Sequence, residues 1–139
     1  MSRAFADADY WIALLHPREE LHEKATQVSS TPGRAQLVIV TSEMVLAEVL
    51  DGLGDRGQRF RELAAETVHR LRTAPNVTVV PQTSAQFRAA LEMYRARLDK
   101  EWGLTDCASF QIMEQQGITD ALTYDHHFEQ AGFIALLRS

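Results

Sequence analysis

The run Ala4–Leu15, AFADADYWIALL, decides the fold. Ala4, Phe5 and Ala6 are apolar and few, which suits a short buried strand. Asp7 interrupts the run, and Tyr10, Trp11, Ala13, Leu14 and Leu15 then recur at the i, i+3, i+4 spacing of a helix. Asp7 thus stands where a strand stops and a helix starts, as the N-cap or just ahead of it. In an open parallel sheet that junction lies on the rim where ligands bind.

The rest of the chain repeats the same alternation. After the break at His16-Pro17, Glu19–Ser30 reads as a helix with Leu21, Ala25 and Val28 inward, ended by Thr31-Pro32-Gly33. Leu37–Val40 (LVIV) is a second buried strand, and Thr41 or Ser42 caps a helix at Glu43–Leu53 that Gly52 and Gly54 close. Asp55–Thr73 is a longer amphipathic helix, with Phe60, Leu63, Ala64, Val68 and Leu71 on one face and six charged residues, five of them arginines, on the other. Val77–Val80 is a third buried strand stopped by Pro81. A helix from Ala85 to about Glu101 then places Phe87, Leu91, Tyr94 and Leu98 inward. Thr105–Gln115 is apolar around most of its circumference, the mark of a helix packed on several sides, and Gly117 follows as its stop. Ala121–Tyr124 is a fourth strand, His126–Ala131 a short helix and Phe133–Leu136 a last strand. These lengths imply an α/β fold, a parallel sheet of four to five strands sandwiched between helices in three layers. No repeat or linker divides the chain, so residues 1–139 read as a single domain.

Composition narrows the function. The chain of 139 residues has 45% hydrophobic content, enough for one core, and its apolar segments are too short to span a membrane. Met1-Ser2-Arg3 runs straight into the first strand, with no room for a signal peptide, and the single Cys107 fits a reducing cytoplasm. A net charge of −5 argues against a protein held to nucleic acid by a large basic surface.

Four carboxylates carry the candidate chemistry: Asp7 after the first strand, Glu48 inside the helix after the second, Asp106 at the start of the nearly all-apolar helix, and Asp125 after the fourth strand. Singly, Asp7, Asp106 or Asp125 reads as a helix cap that stabilises by ~1 kcal/mol, and Glu48 as a surface residue beside the core. Together, the topology brings three of them to one rim, and Glu48 reaches it from about 9 Å along its helix. Carboxylates crowded within ~4–6 Å repel one another unless protonated or bridged by a cation. An all-oxygen cluster suits Mg²⁺ or Mn²⁺, whereas the cysteine and histidine content is poor for zinc.

The order of Asp7 in AFADADYWIALL, Glu48 in TSEMVLAEVL, Asp106 in GLTDCASFQIM and Asp125 in ALTYDHHFEQAGF resembles the PIN domain. Within that family it is most similar to the small single-domain proteins typified by the VapC toxins. The likeness runs from about Ala4 to Phe133. It implies a helix-sandwiched parallel sheet and metal-dependent hydrolysis of RNA, with Asp7, Glu48, Asp106 and Asp125 as the metal-binding and catalytic acids. Thr41, Thr105 and Thr123 are weaker candidates as hydroxyl neighbours. It also implies a small antitoxin protein as partner, one that places a basic side chain in the acidic cleft. A homodimer stands open beside it. Two departures make the rim less positive: Ala8 replaces the hydroxyl residue usual after the first acid, with Asp9 adding a carboxylate, and His126-His127 replace the basic residue usual after the fourth.

Two other readings compete. Asp7-Ala8-Asp9 is the D-x-D of a haloacid-dehalogenase-like phosphohydrolase, with Asp7 as nucleophile and Asp9 as acid/base, but neither Lys24 nor Lys100 follows a strand as that class requires. A non-catalytic PIN-like binding module is the third. Trp11, Trp102 and Tyr94 read as packing residues, Cys107 as a small core residue, and His126 and His127 as capping or solvating a short helix.

Overall fold

The structure is a computed structural model that describes residues 2–30 and 37–138. The stop expected at Thr31-Pro32-Gly33 lies outside the described residues. The chain order is β1 (Arg3–Ala6), α1 (Ala8–Leu15), α2 (His22–Ser30), β2 (Val38–Ser42), α3 (Glu43–Gly54), α4 (Gln58–Leu71), β3 (Val77–Val80), α5 (Ser84–Ala96), α6 (Leu104–Gln116), β4 (Asp120–Leu122), α7 (His126–Gln130) and β5 (Ile134–Ala135). A 3₁₀ turn, Leu136–Arg138, occupies the end of the segment expected as the last strand.

The five strands form one parallel sheet in the order β3-β2-β1-β4-β5. The chain steps outward from β1 to β2 and β3, then crosses back through α5 and α6 to β4 on the other side of β1. Right-handed crossovers taken in opposite directions put their helices on opposite faces, so α1–α4 cover one face and α5–α7 the other. The reversal makes the gap between β1 and β4 the topological switch point, where open sheets of this kind bind ligands beyond their strand ends. Phe5 pairs with Ala121 and Ala6 with Leu122, so the next residues along, Asp7 and Thr123, emerge side by side at that gap.

Local chemistry explains most boundaries. Ser42 caps α3 by accepting from the Val45 amide at 3.1 Å, and Thr83 caps α5 through the Gln86 amide at 3.1 Å. Gly117 ends α6 in the left-handed region at φ 67°, where a side chain is strained. Gly52 lies in the last turn of α3, where a Cβ would stand 2.8 Å from the Ile12 Cδ1 and require that methyl to shift.

The core runs through β1, β4 and α6. Cys107, Ala108, Ser109, Phe110, Ile112 and Met113 are all buried, as the all-round apolar pattern of α6 requires. Phe110 is the hub, with ring centroids 5.0 Å from Trp102, 5.0 Å from Phe128 and 5.8 Å from Phe133, the first two edge-on. Phe128 reaches on to Phe5 of β1 at 6.5 Å.

Two expectations are corrected. β3 is the edge strand and none of its residues is fully buried, because only β2 covers its side. Phe87, Leu91, Tyr94 and Leu98 do not face inward: they are 44%, 40%, 43% and 76% exposed. The inward face of α5 is the small one, with Ala90 fully buried and the Ala89 carbonyl accepting from Gln111 of α6. α5 thus meets α6 through alanines, and these four large side chains are left outside.

Candidate active site

Strand ends and helix starts at the switch point gather three carboxylates. One oxygen each from Asp7, Asp106 and Asp125 lies within 4.8 Å of the other two. Each arrives by a different local device. Asp125 is a working cap of α7, its Oδ1 accepting from the His127 amide at 2.9 Å. Asp106 closes the start of α6 by accepting from the Gly103 amide at 3.0 Å, with Gly103 at the cap position. Asp7 occupies the cap position of α1 yet makes no side-chain cap bond, and it is only 7% exposed. Helix capping therefore accounts for two of the three positions and leaves the most buried acid without that explanation.

The aromatic core sets the spacing. Asp106 is one turn before Phe110, Asp125 is three residues before Phe128, and Asp7 is two residues after Phe5. The stacked rings thus fix the distances between α6, α7 and β1 that the acids inherit.

Thr123 ties the cluster together. Its hydroxyl is 3.1 Å from Asp7 Oδ2 and 3.1 Å from Asp9 Oδ2, and it accepts from the Asp125 amide at 3.1 Å. One hydroxyl proton serves the two carboxylates, so both compete for it. Asp9 Oδ2 also accepts from the Tyr124 amide at 2.8 Å, while its Oδ1 is buried with no partner. Asp9 is thereby an anchor from α1 to the turn after β4. An acid/base role at Asp9 needs a carboxyl presented to substrate, and this one is turned into the protein.

Glu48 stands at the margin. It stays solvent-exposed on α3 and does not join the three-acid group, but it repels Asp106 and Asp7 and is held by the Thr105 hydroxyl. Thr41 lies deeper and touches no acid: its hydroxyl donates to the Ala6 carbonyl at 2.9 Å and receives the Trp11 indole N–H at 3.5 Å, so it links β1, β2 and α1.

His127 is a residue that pattern reading assigned to capping or solvating the short helix. Its Nδ1 lies 3.1 Å from Asp106 Oδ2 and 3.3 Å from Asp125 Oδ1, with Nδ1–H the tautomer suited to two acceptors. Periodicity held no signal for this. The one available signal was the Asp-x-His turn, in which the capping bond from the His127 amide folds its ring back over Asp125.

The electrostatics are those of anions short of countercharge. Burial pushes the Asp7 carboxyl well above the usual carboxylate range, helped by repulsion from Asp9, Asp106 and Glu48 and opposed by the Ala8 amide. Burial also raises Asp9, against the Tyr124 amide and Thr123 hydroxyl. Asp106 is raised by burial and by Asp125, partly offset by the Gly103 amide and His127. Partial burial and Asp106 raise Glu48. Three carboxylates offering hard oxygen donors within 4.8 Å of one another fit a divalent cation of the Mg²⁺ or Mn²⁺ kind. His126, His127 and Asp125 also offer ligand atoms within 4.8 Å, though His126 is exposed and Asp125 belongs to both groups.

A parallel sheet ordered 3-2-1-4-5 with acids at its switch point defines a class, the PIN domain. The family matches residues 4–134, and the chain belongs to it. The 23S rRNA-specific endonuclease VapC20 of Mycobacterium tuberculosis is 30% identical over 131 residues, which is 94% of this chain and 95% of that protein. Its crystal structure, described as that of a sarcin-ricin loop cleaving toxin, superposes with a TM-score of 0.81 over 96% of this chain and 97% of the other. FitAcB from Neisseria gonorrhoeae shares the fold at 17% identity, with a TM-score of 0.63 over 95% and 94% of the two chains.

Proposed function

We propose that this protein is a divalent-cation-dependent ribonuclease that hydrolyses phosphodiester bonds in RNA and serves as the toxin of a toxin–antitoxin pair. The observation that carries the reading is Asp7: buried, without a capping role, and drawn within 4.8 Å of Asp106 and Asp125 at the switch point of the sheet. The likeness to an RNA endonuclease along nearly its whole length supports the substrate class.

Asp7, Asp106 and Asp125 are the residues that would hold Mg²⁺ or Mn²⁺, with Glu48 at the open side. The cation would supply the positive charge that turns an anion-repelling cleft into one that receives a phosphate. The chain's own residues do the positioning: Thr123 and Asp9 fix the β4–α7 turn against α1, and His127 holds the Asp106 and Asp125 carboxylates at a set separation. With Asp7, Asp106 and Glu48 all raised by burial and, beyond it, by one another's charge, the cleft favours ligands that bring positive charge. An arginine fork from a small antitoxin meets the same demand and competes with the ion. Residues 1–139 act as a single domain in the cytoplasm, where the substrate is found; no helix among the described residues is long and apolar enough to cross a membrane.

A homodimer is part of the proposal. Phe87, Leu91 and Tyr94 follow the 4, 3 spacing of a helix–helix seam on the outer face of α5, and Leu98 stands exposed just past the end of that helix, which closes at Ala96 and not near Glu101 as expected. The flanking Arg95 and Arg97 are already paired to Glu92 and Asp99, so a second copy of α5 can lie against the seam without bringing bare arginines together.

The test is cleavage of a mixed RNA by the purified protein. Activity is expected with Mn²⁺ or Mg²⁺, to vanish in EDTA, and to fall at least 100-fold in Asp7→Asn and Asp106→Asn, on the order of losing one transition-state contact of several kcal/mol. A folded Asp106→Asn protein cutting at the wild-type rate would reject the assignment.

A further inference from the structure

Away from the acidic centre, the end of α1 and the start of α4 enclose an open hollow of about 730 Å³ lined by Leu15, His16, Pro17, Arg18, Arg56, Arg59, Phe60 and Leu63. In a chain with 14 lysines and arginines against 19 acids, three arginines on one hollow is a local reversal of sign. The arginines differ in their commitments. Arg56 is paired to Glu19, and beyond the hollow Arg61 is spent on the Gly54 carbonyl, Arg70 on Glu66 and Arg72 on Glu43. The guanidinium groups of Arg18 and Arg59 have no partner among the described residues. Between them His16 stacks on Phe60, with ring centroids 4.3 Å apart and planes 17° from parallel, and the Arg18 amide fixes the imidazole by donating to its Nδ1 at 3.2 Å.

Two uncommitted guanidinium groups beside a flat, pre-stacked aromatic pair make the equipment of a nucleotide subsite: charge for the phosphodiester and a π-face for the base. We propose that this hollow is a second RNA-binding site, taking a backbone phosphate on Arg18 and Arg59 and an unpaired base against the His16–Phe60 stack. The proposal rests on the ribonuclease reading. α1 leads from the acidic centre to the hollow, Asp7 before its first residue and Leu15 at its last, a path of about 12 Å at 1.5 Å per residue. The residues of α1 between them are at least partly covered, so a strand must pass around the helix, and one of more than a few nucleotides is needed to occupy both places. The hollow supplies affinity that the acidic cleft lacks, which reconciles RNA binding with a net charge of −5.

The experiment compares wild type, Arg18→Gln/Arg59→Gln and Phe60→Leu, with folding checked by circular dichroism. Binding is measured in EDTA by fluorescence anisotropy across a salt series, using mixed-sequence RNAs of about 16 and about 4 nucleotides. The double variant is expected to bind the longer RNA on the order of tenfold more weakly, with a salt slope smaller by roughly 0.7 per lost phosphate contact. Phe60→Leu should weaken binding and leave the slope unchanged. With Mn²⁺, cleavage of the longer RNA should show a raised KM and an unchanged kcat in the double variant, and cleavage of the short RNA no change. Equal affinity and slope in wild type and the double variant would overturn the proposal, as would loss of binding to an acidic protein partner with RNA binding intact. Wild-type protein that binds the longer RNA through these arginines and cuts nothing would reject the ribonuclease reading and leave the second site standing.

Discussion

Thr123 shows how much rests on one hydroxyl. It is fully buried, donates toward two carboxylates and accepts the amide of a third acidic residue. Thr123→Val keeps the shape and removes the donor, leaving Asp7 and Asp9 to face each other without it. The variant should lose about 1–3 kcal/mol of stability and cleave RNA far more slowly, with a higher Mn²⁺ requirement. Thermal melts and a Mn²⁺ titration of activity check it; unchanged metal dependence would reduce Thr123 to packing. At this scale the sequence was partly legible. Asp7, Asp106 and Asp125 stand out because acids at strand–helix junctions fall on one rim. Thr123 was only one of three hydroxyl candidates, and His127 read as a capping or solvating residue with no sign of its contact to Asp106, because both contacts depend on how turns fold back and not on periodicity.

Elements carry the next constraint. α7 is a five-residue helix held by Phe128, which is fully buried between Phe110 and Phe5. Phe128→Ala should cost about 3–5 kcal/mol and depress activity further than the loss of folded protein explains, since Asp125 and His127 ride on the same turn. Denaturant melts and activity per folded molecule separate the two effects. α5 is where reading by pattern failed. Its large residues do repeat at helical spacing, but periodicity marks a stripe without saying which partner covers it. The alanines proved to be the packing face, and the stripe was left exposed. Leu91→Glu and Leu98→Glu should therefore leave the stability of the monomer within about 0.5 kcal/mol of wild type while shifting sedimentation to the monomer. A protein already monomeric at high concentration would remove the dimer. α6, by contrast, was legible, because a helix apolar around most of its circumference has nowhere to lie but inside.

The whole molecule balances a sheet topology that concentrates acids against the cost of holding them together. Strand alternation was readable from short apolar runs, and the side-by-side emergence of Asp7 and Thr123 followed from register, which the sequence did not contain. The cost has a sign that can be measured. Asp7, Asp9, Asp106 and Glu48 all hold their protons more tightly folded than unfolded. Between the unfolded value of about 4 and their raised folded values, the native state binds more protons, so stability falls as pH rises through that window. Glu43 and Asp99, which are lowered, act in the opposite sense only as pH drops toward and below about 4. In EDTA the melting temperature should consequently climb as pH is brought from 7.5 to about 5, and Asp7→Asn or Glu48→Gln should flatten the climb while raising the value at 7.5. A divalent ion reverses the trend because it binds the ionised form: stabilisation by Mn²⁺ should grow with pH, reaching about 2.7 kcal/mol at 100 times its Kd in wild type. It should shrink in both variants. A metal-free melting temperature that is flat or rising with pH between 5 and 7.5 would mean the acids are not paying mutual repulsion, and with it would go the cation site they are assigned to form.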